Sequence, residues 1–144
     1  MLIRAAVRQD WIGIYPFFSS IVAAGRTYAF PENLSLEDAR PWWMEQPPGV
    51  TVVAVEGAKV VGSAKMGPNW PGRGSHIATG SFMVDPDHRG RGVGRALGSY
   101  VLDWARTAGY WPSITPSTAS SHVMFQRLGA ASAAGASAVP AGRV

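Results

Sequence analysis

Two valine-rich runs, "GVTVVAVE" at 49–56 and "KVVGSAKM" at 59–66, are separated only by Gly57 and Ala58. Valine and threonine in such density favour the pleated backbone, and glycine first in a two-residue loop suits a type II′ turn. The pair commits the chain to an antiparallel hairpin, which needs further strands or a covering helix to be stable in water. "HIATGSFMV" (76–84) supplies a third strand, uncharged on both faces apart from its first residue, as expected at the centre of a sheet covered on both sides. From Gly92 the period changes: Val93, Leu97, Tyr100, Val101, Trp104 and Ala108 recur at steps of three and four, while Arg95, Asp103 and Arg106 fall elsewhere. That pattern predicts an amphipathic helix closed by Gly109. Upstream, "LIRAAV" (2–7) reads as a first strand, and Gln9-Asp10 opens a helix "WIGIYPFFSSIVAAG" that Pro16 bends or delays and Gly25 stops. After "RTYAFPEN", Ser35 stands three residues before Asp38 and predicts the start of a second helix, "LEDARPWWME", interrupted by Pro41.

A chain of 144 residues, 47% hydrophobic and 15% charged, is expected to fold as one domain around one core. The absence of cysteine excludes disulfides, thiolate metal sites and a cysteine nucleophile, and no metal is expected. Arg4, Arg8 and Asp10 interrupt the N-terminus, and no apolar run approaches the roughly 18 residues of a membrane span, so a soluble, cytoplasmic protein without a membrane partner is expected. The net charge of +4 tolerates anionic partners, but apart from positions 89 to 95 the arginines are scattered, and no aromatic stacking motif points to nucleic acid.

Between the third strand and the amphipathic helix lies "DPDHRGRGVGRAL" (85–97), with three arginines and three glycines. The first turn of a helix carries unpaired N–H groups and partial positive charge, so it attracts phosphates. Gly90, Gly92 and Gly94 leave that backbone bare, and Arg89, Arg91 and Arg95 add charge. A tight turn with merely solvated arginines is the plain alternative. A phosphate-loop pattern fails for want of a Gly-Lys-Ser/Thr ending, and a dinucleotide G-x-G-x-x-G places Arg95 or Leu97 where the third glycine belongs. The pattern that fits is Arg/Gln-x-x-Gly-x-Gly, spelled Arg89-Gly90-Arg91-Gly92-Val93-Gly94 and preceded by "FMVDP".

This loop, with the order of elements over residues 1–110, resembles the GNAT superfamily of acyl-CoA-dependent N-acyltransferases. The resemblance implies an α/β (α+β) fold with a mixed, mostly antiparallel central sheet flanked by helices. It implies acetyl-CoA as acyl donor, its pyrophosphate on the amides of Arg89, Gly90, Arg91, Gly92, Val93, Gly94 and Arg95, its pantetheine arm beside Phe82, Met83 and Val84, and an oxyanion held by an amide near Met83 or Val84. The acyl group would pass by direct attack to a primary amine of a small molecule or peptide. Tyr28, Phe30 and Glu32, with Trp42 and Trp43, are expected around the acceptor, though such aromatics equally serve cores. His76 and Glu56 are the candidates for a general base, and each is equally readable as a structural or surface residue.

After Gly109 the likeness breaks. Pro112 and Pro116 interrupt the next expected strand, and the last fifteen residues hold seven alanines and no aromatic residue, so the final strands are expected to be eroded or missing. The family's late Asn-x-x-Ala-x-x-Leu-Tyr-x-x-Leu-Gly-Phe pattern falls on Thr118, Ser121, Met124, Phe125 and Ala130, so phenylalanine stands where a tyrosine would protonate the leaving thiolate. A frameshift or truncation after Tyr110, or a degenerate family member, would leave such a sequence. The expectation is one domain over 1–144, well matched over 1–110 and divergent over 111–144, as a monomer or homodimer. The alternative function is a catalytically weak or inactive coenzyme A-binding or interaction domain.

Overall fold

The computed structural model describes residues 1–25, 30–68, 77–112 and 122–127. The chain runs β1 (Leu2–Ala5), α1 (Trp11–Ala23), α2 (Leu36–Trp43), β2 (Val50–Glu56), β3 (Lys59–Pro68), β4 (Ile77–Val84), α3 (Val93–Thr107), β5 (Tyr110–Pro112) and β6 (His122–Arg127). The strands form one sheet in the order β1-β2-β3-β4-β6-β5, and every described pairing is antiparallel. The mixed α and β composition and antiparallel sheet agree with the sequence expectation.

The hairpin of β2 and β3 turns at Gly57, whose φ of 57° is the positive value that the loop demands. Ser35 caps α2 by accepting the Asp38 N–H at 3.2 Å. Pro16 and Pro41 do not end their helices, contrary to the interruption expected at Pro41. Both prolines are exposed, so their rings lie on the outer faces of the helices.

Two cores lie on the two faces of the sheet. Val93, Leu97, Val101 and Ala105 of α3 pack on Val52, Ala54, Val61, Ala64, Met66 and Ala78. Trp11, Ile14, Phe17, Phe18 and Val22 of α1, with Ala39 and Trp43 of α2, cover Val53 and Met83 on the other face. Asp10, at the mouth of α1, accepts both Arg4 guanidinium nitrogens, at 2.7 and 2.9 Å, and the Val7 N–H at 2.7 Å. These bonds to Arg4 hold its carboxyl below the usual range against the opposing effect of burial.

The two strands after Gly109 are short, three and six residues. Pro112 ends the shorter one on the sheet edge, where a missing N–H breaks no central ladder. Among the described residues no helix is long and apolar enough to cross a membrane, and no group of three His, Cys, Asp or Glu could hold a metal ion.

Candidate functional site

β4 leads into a short 3-10 turn, Pro86–His88, organised by Asp85, whose carboxylate accepts the Asp87 N–H at 3.0 Å and stands 3.3 Å from Lys59 Nζ. Burial pushes the Asp85 carboxyl up, but the Asp87 N–H and Lys59 together outweigh it and hold it below the usual range. The backbone then turns through Gly90 at φ 75° and Gly92 at φ 82°, ψ 5°. A Cβ at either position would meet nothing within 4 Å, so glycine serves the left-handed backbone and leaves the concave side open. Val93 is buried and seats α3 on the sheet. The first bond of the helix joins the Ala96 N–H to the Gly92 carbonyl at 3.0 Å, and no side chain caps Gly92. The amides of Val93, Gly94 and Arg95 therefore have no partner inside the helix. Arg89, Arg91 and Arg95 are all exposed around them. Uncapped donors and the positive end of a fifteen-residue helix, flanked in sequence by three exposed arginines, make a spot that can hold a diphosphate.

A Cβ on Gly94 would stand 3.5 Å from Val84 Cγ2, so the start of α3 lies beside the end of β4. Register decides which backbone groups face that slot. The Asp85 N–H donates to the Val61 carbonyl at 2.9 Å, so in the alternating antiparallel ladder Met83 and Ser81 exchange bonds with β3. Phe82 and Val84 turn their N–H and C=O groups the other way. On that side the described pairing with β6 covers Ile77 to Ser81, while β3 pairs as far as Val84. Of the three expected backbone partners, then, Phe82 and Val84 turn toward the β6 side, and Met83 turns toward Ser63 of β3.

On the opposite face of the sheet, Phe30, Glu45, Lys65, Met66, Gly67, Pro68, Thr79 and Ser81 line a cavity of about 180 Å³. Lys65 Nζ lies 3.1 Å from Glu45 Oε1, donates to the Trp42 carbonyl at 2.9 Å, and sits 5.6 Å above the Phe30 ring. Phe30 lies on the wall of this cavity, with Trp42 tilted against it at 5.7 Å. Glu32 lines a different and smaller cavity with Tyr15, Phe18 and Asn33. Trp43 is fully buried, donating from Nε1 to Ser63 Oγ at 2.9 Å, and belongs to the core. Tyr28 and His76 lie outside the described residues, as do Thr118, Ser121 and Ala130. Glu56 stands at the hairpin turn opposite Lys59, two strands from β4, on the wall of a cavity of about 970 Å³ shared with α1 and Asp85. Phe125 falls on β6, opposite Ala78.

Sequence reasoning missed Glu45, Lys65, Thr79 and Ser81. Their only advance signal is that Lys65, Thr79 and Ser81 occupy alternate positions of predicted strands and are polar within apolar runs.

The acetyltransferase (GNAT) family model matches residues 11–130. Among solved structures, a GCN5-related N-acetyltransferase from Kribbella flavida is 37% identical, with a TM-score of 0.70 over 88% of this chain and 97% of that one. An N-acetyltransferase from Staphylococcus aureus Mu50 is 15% identical with a TM-score of 0.68, covering 86% of this chain and 95% of that one. A GNAT superfamily phosphinothricin acetyltransferase from Sinorhizobium meliloti, in complex with acetyl-CoA, is 17% identical with a TM-score of 0.65, covering 88% of this chain and 86% of that one. These last two likenesses concern the fold alone. No curated protein matches the chain significantly.

Proposed function

Since the chain belongs to the acetyltransferase (GNAT) family, we propose that it transfers an acetyl group from acetyl-CoA to a primary amine by direct attack. The observation that carries this reading is the uncapped N-terminus of α3 at Gly92, with bare amides and three exposed arginines beside the end of β4 at Val84. The donor fits both ends of this slot. Its pyrophosphate would rest on the amides between Arg89 and Arg95, as diphosphates do at helix starts. Its pantetheine arm would run beside the end of β4, where Val84 turns its N–H and C=O groups away from β3.

The amine nitrogen attacks the thioester carbonyl, the C–N bond forms, the C–S bond breaks, and coenzyme A leaves as the thiolate. A preorganised N–H stabilises the oxyanion on the way. Met83 faces β3 in this register, so Val84 is the residue we assign to that task. The acceptor enters from the opposite face, through the cavity walled by Phe30, Thr79 and Ser81, since Ser81 lies on β4 three residues before Val84. Glu56 lies on another cavity and is set aside as the base. The ammonium proton leaves through water, and the thiolate, a good leaving group, needs no tyrosine at position 125.

Calorimetric titration with acetyl-CoA and with coenzyme A tests the donor site, and thiol release with a panel of primary amines tests transfer. The wild type binds both ligands, and Gly92→Glu, which adds bulk and negative charge to the cradle, binds neither. A folded protein that ignores acetyl-CoA at millimolar concentration refutes the assignment. Binding without thiol release from any amine leaves a non-catalytic coenzyme A-binding domain.

A further inference from the structure

We propose that the acceptor is a small zwitterion, an amine that also carries a carboxylate, and that Lys65 recognises the carboxylate. The inference rests on the acyl-transfer reading and concerns the pocket on the α1 and α2 face. That pocket, about 180 Å³, is of a size to take a free amino acid. Its described lining contains one cation and one anion, Lys65 and Glu45, which pair with each other at 3.1 Å.

The two partners are not held alike. Lys65 is fixed without help from Glu45, because its ammonium donates to the Trp42 carbonyl at 2.9 Å and lies over the rings of Phe30 and Trp43, at 5.6 and 5.7 Å. Its side chain is 22% exposed, against 36% for Glu45, so the ammonium is the inner group and the carboxylate the outer one. Glu45 Oε1 has Lys65 as its ion-pair partner among the described residues.

A zwitterion can replace this pair by exchange. Its carboxylate takes the place of Glu45 at Lys65, its ammonium takes the place of Lys65 at Glu45, and no charge is left desolvated and unpaired. A simple amine lacks the first exchange: it must share Glu45 with Lys65 while its own positive charge approaches a second, fixed one. A dicarboxylate lacks the second. Selection between these acceptors therefore follows from one pair of opposite charges on the wall of one small cavity.

The test compares glycine, alanine, serine and glutamate with their amides and their decarboxylated amines. Two readouts are taken: acetyl transfer, and calorimetric binding to protein saturated with coenzyme A. For the wild type, kcat/KM and affinity fall by about 10- to 100-fold when the carboxylate is removed, the range expected for a hydrogen bond to a charged group. Lys65→Met erases that preference, mainly through KM, and Lys65→Arg restores part of it. If Lys65→Met does not fold, the wild-type panel alone decides. Equal use or equal binding of carboxyl-free amines overturns the inference, as does failure of every panel member to bind at millimolar concentration. Failure to bind acetyl-CoA in the separate titration strikes the acyl-transfer reading instead.

Discussion

Gly62 of β3 lies directly beneath Val93, the first residue of α3. A Cβ on Gly62 would stand 2.8 Å from Val93 Cγ1, 2.9 Å from Leu97 Cδ1 and 3.1 Å from the Met83 carbonyl oxygen. The helix that presents the loop amides is therefore seated on the sheet through a missing side chain. Packing and the proposed anion cradle meet at this contact, because the Val93 N–H has no partner inside the helix and follows the left-handed Gly92.

Gly62→Ala tests this seating. Two of the three neighbours are methyl groups that can shift, but the Met83 carbonyl belongs to the β3–β4 ladder and cannot move alone. The expected loss is about 1–3 kcal/mol, typical of overpacking, measured by urea denaturation. Acetyl-CoA affinity should fall with it, because α3 is lifted from β4. A variant with wild-type stability and affinity would show that the contact relaxes freely.

Gly92 and Gly109 offer a matched pair, with φ of 82° and 83° at opposite ends of α3 and nothing within 4 Å of either Cβ position. Alanine at each should destabilise by a similar amount, about 1 kcal/mol, since both substitutions force a left-handed backbone on a residue with a Cβ. Only Gly92→Ala should weaken acetyl-CoA binding. Equal effects on binding would mean that the loop acts through stability alone.

Much of this was legible in the sequence where one local cause decides the outcome. Ser35 caps because a hydroxyl three residues before Asp38 reaches its N–H, Gly57 turns because its backbone permits it, and the amphipathic period of α3 follows from side chains on one helix. Gly92 could be read as uncapped because nothing near it in sequence offers a cap. The wall of the Lys65 cavity could not be read. Glu45 meets Lys65 only because a β2–β3 register places Lys65 opposite Thr51, and the Thr51 hydroxyl in turn accepts the Glu45 N–H at 2.8 Å. Trp42 and Trp43 are adjacent and alike in sequence, yet the former is 43% exposed and the latter fully buried, a choice made by the direction in which α2 settles on the sheet. Gly62 was equally silent, since its meaning depends on a helix that starts thirty-one positions later.

Trp43→Phe distinguishes core from pocket. The substitution removes the 2.9 Å bond from the indole to Ser63 Oγ, while Ser63 keeps its own 2.8 Å bond to the Val52 carbonyl. Stability should drop by about 1–2 kcal/mol from the lost bond and the smaller ring. The KM for the acceptor should stay within about threefold, because a change of ~0.6 kcal/mol is all that a slight loosening under Lys65 would produce. A large rise in KM at unchanged stability would instead place Trp43 in the acceptor site.

The Arg4–Asp10 pair predicts how stability responds to acid. Asp10 accepts three hydrogen bonds in the folded chain, two of them from the guanidinium, and its carboxyl is held below its ordinary value of 3.8. A depressed carboxyl means that the unfolded chain takes up its proton first. The stabilisation is thus complete well above the ordinary value and is lost as pH falls through the lower folded value. Asp10→Asn removes the charge, places an amide against one guanidinium donor, and should destabilise by about 1–2 kcal/mol at neutral pH, reduced from a buried pair because Arg4 is 40% exposed. The gap between wild type and variant should hold constant down to about pH 5 and close progressively below it. Urea midpoints of both proteins across that range provide the check. A gap that stays open to about pH 2, or that is absent at neutral pH, would show that the carboxylate charge is not what ties β1 to the mouth of α1.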